Sequence, residues 1–440
     1  MRILILVSLL VSLVSSLPSR AAVIWVGSSP ACTGVGAQGS LDQGLLLAAL
    51  NGEPTDEIRL TRTVSYTGNG DGSYVLQNWT ASGGGALTLT GGYPDCSAAV
   101  DGITRIGDTA SAIFDIGVTS EASSEVTLRN LLLDNSDQYA VVASAGAVVM
   151  MENVAVANSN GGIQVGANAF VSIDGSSVVE NNYRTSSNGG GISCSGSNSN
   201  VQIAGTLSMN RTEFNGGNVD VGAGCFVELL DGMRIIGAGP LGPVSAWGGG
   251  GVCVGADGQL HARGRTNRVI FDALLAACGG SLYVDGGLAI LENVHFNGSQ
   301  VHSREGAAIL VRNGGQLFMD RTADCPLGGL RCSEIQGSVH RGSVVHVVDS
   351  FAQIQRTLIE RSVYDDIEPN VLAVALVTGR NSTVRLNRVG FIDNEMYAAV
   401  GPVGGVFELS HLTIADNRHP DGGAGFSFVN RGITGSNLRV

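Results

Sequence analysis

Between Val384 and Asn394 the chain reads V-R-L-N-R-V-G-F-I-D-N. Apolar side chains recur at Val384, Leu386, Val389 and Phe391, two apart within each half, and an asparagine closes the run. A period of two is that of a strand, whose successive side chains point to opposite faces. The same pattern is written as V-T-L-R-N-L-L-L-D-N from Val126, V-M-M-E-N-V-A-V-A-N from Val149 and F-E-L-S-H-L-T-I-A-D-N from Phe407. Weaker copies begin at Val171, Val201, Met233, Leu260, Ala289, Leu317 and Ala352. Neighbouring copies start about 22 to 35 residues apart, the spacing of stacked-repeat architectures. This predicts about eleven turns of one coil, each a strand–turn–strand–turn–strand unit lying parallel to its copies. Inward positions should include Val126, Leu128, Val149, Val171, Ile173, Val201, Ile203, Ile354, Val384, Leu386 and Leu409.

Composition agrees with many short strands joined by turns. Glycine is 64 of 440 residues and aromatics are only 5%, which argues against one thick core. The formal charge is −13, from 25 basic and 38 acidic residues. No lysine occurs, so a lysine Schiff base or nucleophile is excluded. An acidic balance without a basic run argues against nucleic acid as a partner. The acidity reads first as a source of solubility.

Arg2 followed by an apolar run from Ile3 to Leu17 and then P-S-R-A has the form of a secretory signal peptide over residues 1–21. No later apolar run is long enough to span a bilayer as a helix. Residues 22–125 read as an N-terminal cap with the first irregular coils, and 126–440 as the repeat array. Within the cap, S-L-D-Q at Ser40 to Gln43 forms a capping box, and a helix over Ser40–Leu50 places Leu41, Leu45, Leu46 and Ala49 on one face. Such a helix would cover the open end of a strand stack.

Eight cysteines in an exported chain favour disulfides. Cys325 and Cys332 flank a short loop and are expected to pair, and Cys32 with Cys96 brackets the amino-terminal region. Cys194, Cys225, Cys253 and Cys278 sit in successive coils, and their three possible pairings stay open. The asparagines Asn135, Asn158, Asn210, Asn297, Asn394 and Asn417 close successive units and form a candidate ladder of stacked amides along the axis. Ordinary turn chemistry would place asparagine there as well, and both readings are structural.

With the Ser40–Leu50 helix, Ile58-Arg59-Leu60, the L-T-L-T-G-G-Y segment at Leu87 to Tyr93 and the repeated V-x-L-x-N units, the chain resembles bacterial exported right-handed parallel β-helix proteins, among them those called polymorphic outer-membrane-protein-like. The resemblance implies an all-β fold, a right-handed parallel β-helix (solenoid) with a short N-terminal capping helix. It implies an exported protein, extracellular, periplasmic or held at the outer-membrane surface. The fold hosts lyases, hydrolases and adhesins alike, so function must come from a site.

Glycoside hydrolysis needs two carboxyl groups at a set distance, and a lyase needs a base beside a cation. Glu360, Arg361, Asp365 and Asp366 in E-R-S-V-Y-D-D are the candidate catalytic group, and a solvated acidic loop is the plainer reading. No metal-ligand spacing is present among the seven histidines or the cysteines, and no cofactor is implied. The expectation is therefore a non-enzymatic adhesion or structural module that meets a polysaccharide or another cell-surface component. A polysaccharide lyase or glycoside hydrolase is the alternative.

Overall fold

The computed structural model describes residues 22–27, 32, 38–51, 55–62, 66–67, 72–77, 86–96, 99–117, 124–237, 245–301, 305–320, 333–340, 342–364, 375–395, 398–418 and 437–439. The signal segment 1–21, Cys325, Cys332, Asp365 and Asp366 lie outside these residues.

The alternating pattern produces short strands that pair in parallel with their counterparts one coil away, and 36 of the described strands join in one sheet. The sheet wraps around three faces, so the chain is a parallel β-helix. On the first face one aliphatic ladder is unbroken in register. It starts Ile24, Ile58, Leu89, Leu128, Met151, Ile173, Ile203 and Leu229. It continues through Ala262, Leu291, Met319, Ile354 and Leu386 to Leu409. All of these side chains are buried. Each large one contributes about 1.5–3 kcal/mol by leaving water. The second face adds a stacked pair inside the coil, Phe271 on Phe296 at 4.6 Å between ring centres.

All eleven residues expected to point inward are buried. The copy placed at Met233 is carried instead by Val227 and Leu229, which stand in register between Val201 and Ile203 on one side and Leu260 and Ala262 on the other. Met233 follows a turn in which Gly232 has φ 77°, and it precedes the second-face strand Arg234–Ile236. The stack also extends upstream of the repeats, because Ala22–Val26, Thr55–Thr61 and Ala86–Tyr93 are rungs of the first face.

Three lines of left-handed residues turn the chain from face to face. The line between the second and third faces runs Asp108, Asn135, Asn158, Asn181, Met209, Ala273, Gly298, Gly337, Arg361, Asp393 and Asp416, with φ between 51° and 63°. Asparagine, aspartate and glycine tolerate this conformation best, and they fill most of the line.

The helix Leu41–Leu50 lies against the first rungs, with Ser40 Oγ accepting from the Gln43 N–H and Gln43 Oε1 accepting from the Gly39 N–H at 3.1 Å. Its buried face is Leu41, Gly44, Leu45 and Ala48. Leu46, expected on that face, is 61% exposed, because five steps of 100° from Leu41 carry it away from the seam.

Cys32–Cys96 and Cys194–Cys225 are disulfides, with Cα atoms 5.0 and 6.0 Å apart. Cys253 and Cys278 are thiols, which corrects the expectation of a fully oxidised set. Cys253 points outward from the third face into a small cluster with Tyr283 and Leu310, with Cys278 packed against it.

That cluster exists because the connection from the second to the third face folds back. There a second parallel sheet of seven strands forms, from Tyr183–Arg184 and Arg211–Thr212 to Val363–Tyr364. It covers the outer side of the third face, where Asp220, Cys253, Tyr283 and Leu310 stand in register and are all buried. Gly248 of this covering sheet is required by contact: a Cβ there would sit 2.4 Å from the Tyr283 ring.

Candidate functional site

Glu360 ends the second-face strand Thr357–Glu360 and points outward, in register with Gln336, Asn297 and Asp272 of the preceding coils. It is only 7% exposed. Arg361 occupies the left-handed bend line, and its Nη1 lies 3.8 Å from Glu360 Oε1. One strand away Glu334 is buried, and Arg268 Nη1 lies 2.7 Å from its Oε2. His295 pairs in register with Glu334. Burial holds the His295 imidazole below its ordinary pKa, while Glu334 pulls the other way.

Glu334 and Glu360 are diagonal neighbours on one outer face, which strand geometry puts about 8 Å apart at Cα. Both side chains are buried, and Glu334 is bound to Arg268. The group therefore works as part of the shaft: charges of stacked coils answer one another, Arg268 and Glu334 across the coil that carries His295. Arg129 with Glu152, Arg356 with Asp320 and Arg385 with Glu408 do the same at 2.6 to 2.7 Å.

The amide ladder is assembled from two short runs. Asn182 Nδ2 donates to Asn210 Oδ1 at 3.0 Å, and Asn210 Nδ2 donates to Asn218 Oδ1 at 2.9 Å. Asn394 Nδ2 donates to Asn417 Oδ1 at 3.0 Å. Serine continues the first run, since the Ser159 N–H donates to Asn182 Oδ1 and the Ser136 N–H to Ser159 Oγ. Asn135 and Asn158 stand one residue earlier, on the left-handed bend line. Asn297 donates instead to Asp272 Oδ1 at 2.8 Å on the outer surface.

A different feature is open to solvent. Where the second face turns into the covering sheet, Asn181, Asn182, Tyr183, Met209 and Arg211 line a cleft of about 350 Å³. Tyr183 and Arg211 are register partners in the covering sheet. Tyr183 is 45% and Met209 44% exposed. The Tyr183 hydroxyl donates to Glu213 Oε1 at 2.8 Å. No described residue takes the Asn181 amide or the Arg211 guanidinium as a hydrogen-bond or ion-pair partner. Sequence reading missed this site because its residues come from two coils and no motif joins them. The one available signal was a methionine where the preceding copies have Asn135, Asn158 and Asn181.

Among the described residues no three His, Cys, Asp or Glu side chains gather as a metal would need, and no helix is long and apolar enough to cross a membrane. The fold and these sites define a parallel β-helix protein with an aliphatic core, charge pairs between coils on its outer faces and an open cleft beside its covering sheet. No family model, no curated protein and no solved structure matches the chain.

Proposed function

We propose that this is an exported β-helix that acts by contact, as an adhesion or structural module at the cell surface or outside the cell, without turning a substrate over. The observation that carries this reading is the commitment of the outer carboxylates: Glu334, Asp320, Glu152 and Glu408 each answer an arginine. A general acid or base must instead be within reach of a substrate proton. The two disulfides support an oxidising, exported setting. Its partner is a polysaccharide or another surface component.

The enzymatic alternative, a polysaccharide lyase or glycoside hydrolase, is favoured by the diagonal placement of Glu334 and Glu360 and by the acidic Asp365–Asp366 pair. A panel of polysaccharides assayed for new reducing ends and unsaturated products separates the two. Binding to cells or glycans with no product supports the contact reading. Turnover that disappears in Glu360→Gln or Asp365→Asn sinks it. Cell fractionation then locates the protein: retention on outer membranes after carbonate washing would mean an integral anchor rather than association.

A further inference from the structure

Three residues on the left-handed bend line, Met209, Ala273 and Arg361, depart from its prevailing chemistry, and of these Met209 lines the cleft beside the covering sheet. Most positions on the left-handed bend line are asparagine, aspartate or glycine, which adopt that backbone with little strain. Met209 holds φ 52° there with an unbranched apolar side chain. Nothing in packing repays this, since the side chain is 44% exposed rather than buried. A strained residue kept where an easier one would serve the fold points toward function.

The company Met209 keeps says what kind. Tyr183 offers a ring with its hydroxyl already satisfied by Glu213. Asn181 and Arg211 offer an amide and a guanidinium that no described residue uses. An apolar platform edged by unspent donors and acceptors suits a ligand with an apolar face and a hydroxyl-bearing rim. Charge narrows it further. Arg211 and Glu213 both act on Tyr183, in opposite directions, so the site carries no net local charge from this pair. The chain as a whole carries −13, which repels a polyanion.

We infer that the cleft binds a ring of a neutral polysaccharide, with Tyr183 and Met209 against its apolar face and Asn181 and Arg211 on its hydroxyls. The inference rests on the contact reading above and names what is contacted.

The test uses the purified full chain and calorimetry with hexamers of glucose, mannose, galactose and N-acetylglucosamine, set against hexagalacturonate. At least one neutral hexamer should bind more tightly than hexagalacturonate. Tyr183→Ala should weaken it about tenfold or more. Arg211→Gln and Met209→Asn should each weaken it about threefold or more, roughly the loss of one contact. Met209→Asn should also keep or raise the thermal midpoint, because asparagine suits the bend. A merely structural methionine would not combine a gain in stability with a loss of binding. Wild-type binding in both Tyr183→Ala and Met209→Asn overturns the inference, as does tighter binding of hexagalacturonate. If no hexamer binds while cells still bind the protein, the inference falls and the contact reading stands. If neither binds, both fall.

Discussion

Asp220 is a carboxyl placed in the apolar seam between the third face and its covering sheet. Burial raises its pKa to about 7, against a hydrogen bond from Asn188 that pulls it down. The unfolded chain would titrate it near 3.9. Between these values the folded state holds a proton that the unfolded state has lost. Stability from this residue therefore falls as pH rises from about 4 to about 7 and is flat above. Asp220→Asn should flatten that slope and raise stability at pH 8 by on the order of a few kcal/mol, read by denaturant melts across pH. Asn210 sits in the opposite situation, with every neighbour satisfied. Asn210→Ala would leave the Asn182 backbone N–H and one Asn182 Nδ2 hydrogen without their acceptor and the Asn218 Oδ1 without its donor, at about 2–3 kcal/mol by equilibrium unfolding. Asn210, Asn394 and Asn417 were legible as asparagines that close a unit, but the same pattern took in Asn135 and Asn158, which serve the bend, and Asn297, which bonds Asp272. Asn182 was not, since Asn181 stands beside it and only the fold tells bend from ladder. Serine hid the rest, because Ser159 does in its coil what asparagine does in the next.

At the scale of elements, most first-face strands were legible where apolar side chains alternate, since a slip of one would turn a whole strand inside out, but the alternation at Val227 and Leu229 was passed over for Met233 beyond the next turn. The covering sheet was not legible. Its strands are as short as two residues, too brief for a period, and their burial comes from the third face beneath. The cap helix was half legible: its box fixed where it starts, but a leucine-rich run does not say which leucines face in. Gly44 decides that. It meets the first rung so closely that a Cβ would lie 2.6 Å from Val26 Cγ2. Gly44→Ala should therefore destabilise the amino-terminal end by about 1–3 kcal/mol, despite alanine's better helix propensity. Hydrogen exchange should place the loss in the cap and first rungs and leave Phe271 and its neighbours protected. Equal loosening throughout would contradict it.

The whole molecule is a line of coils in which each touches only its neighbours. The repeat spacing carried that much. What it left open was how the coils are fastened, because four cysteines in successive units permit several pairings and only geometry chooses. The choice has a mechanical consequence. On the contact reading proposed above the module is pulled, and a stack pulled from its ends unravels one coil at a time. The Cys194–Cys225 bond closes a loop of sequence separation 31 that straddles two adjacent coils. Under load that loop cannot pay out. Stretching single molecules should give a fully extended chain that lengthens by roughly 100 Å when this bond is reduced, at about 3.5 Å per released residue. Cys32–Cys96, with a separation of 64, should release roughly twice as much. A tether with two such stops shares tension among fewer coils and limits how far it can lengthen, so such a shaft can yield without being drawn out to its full thread.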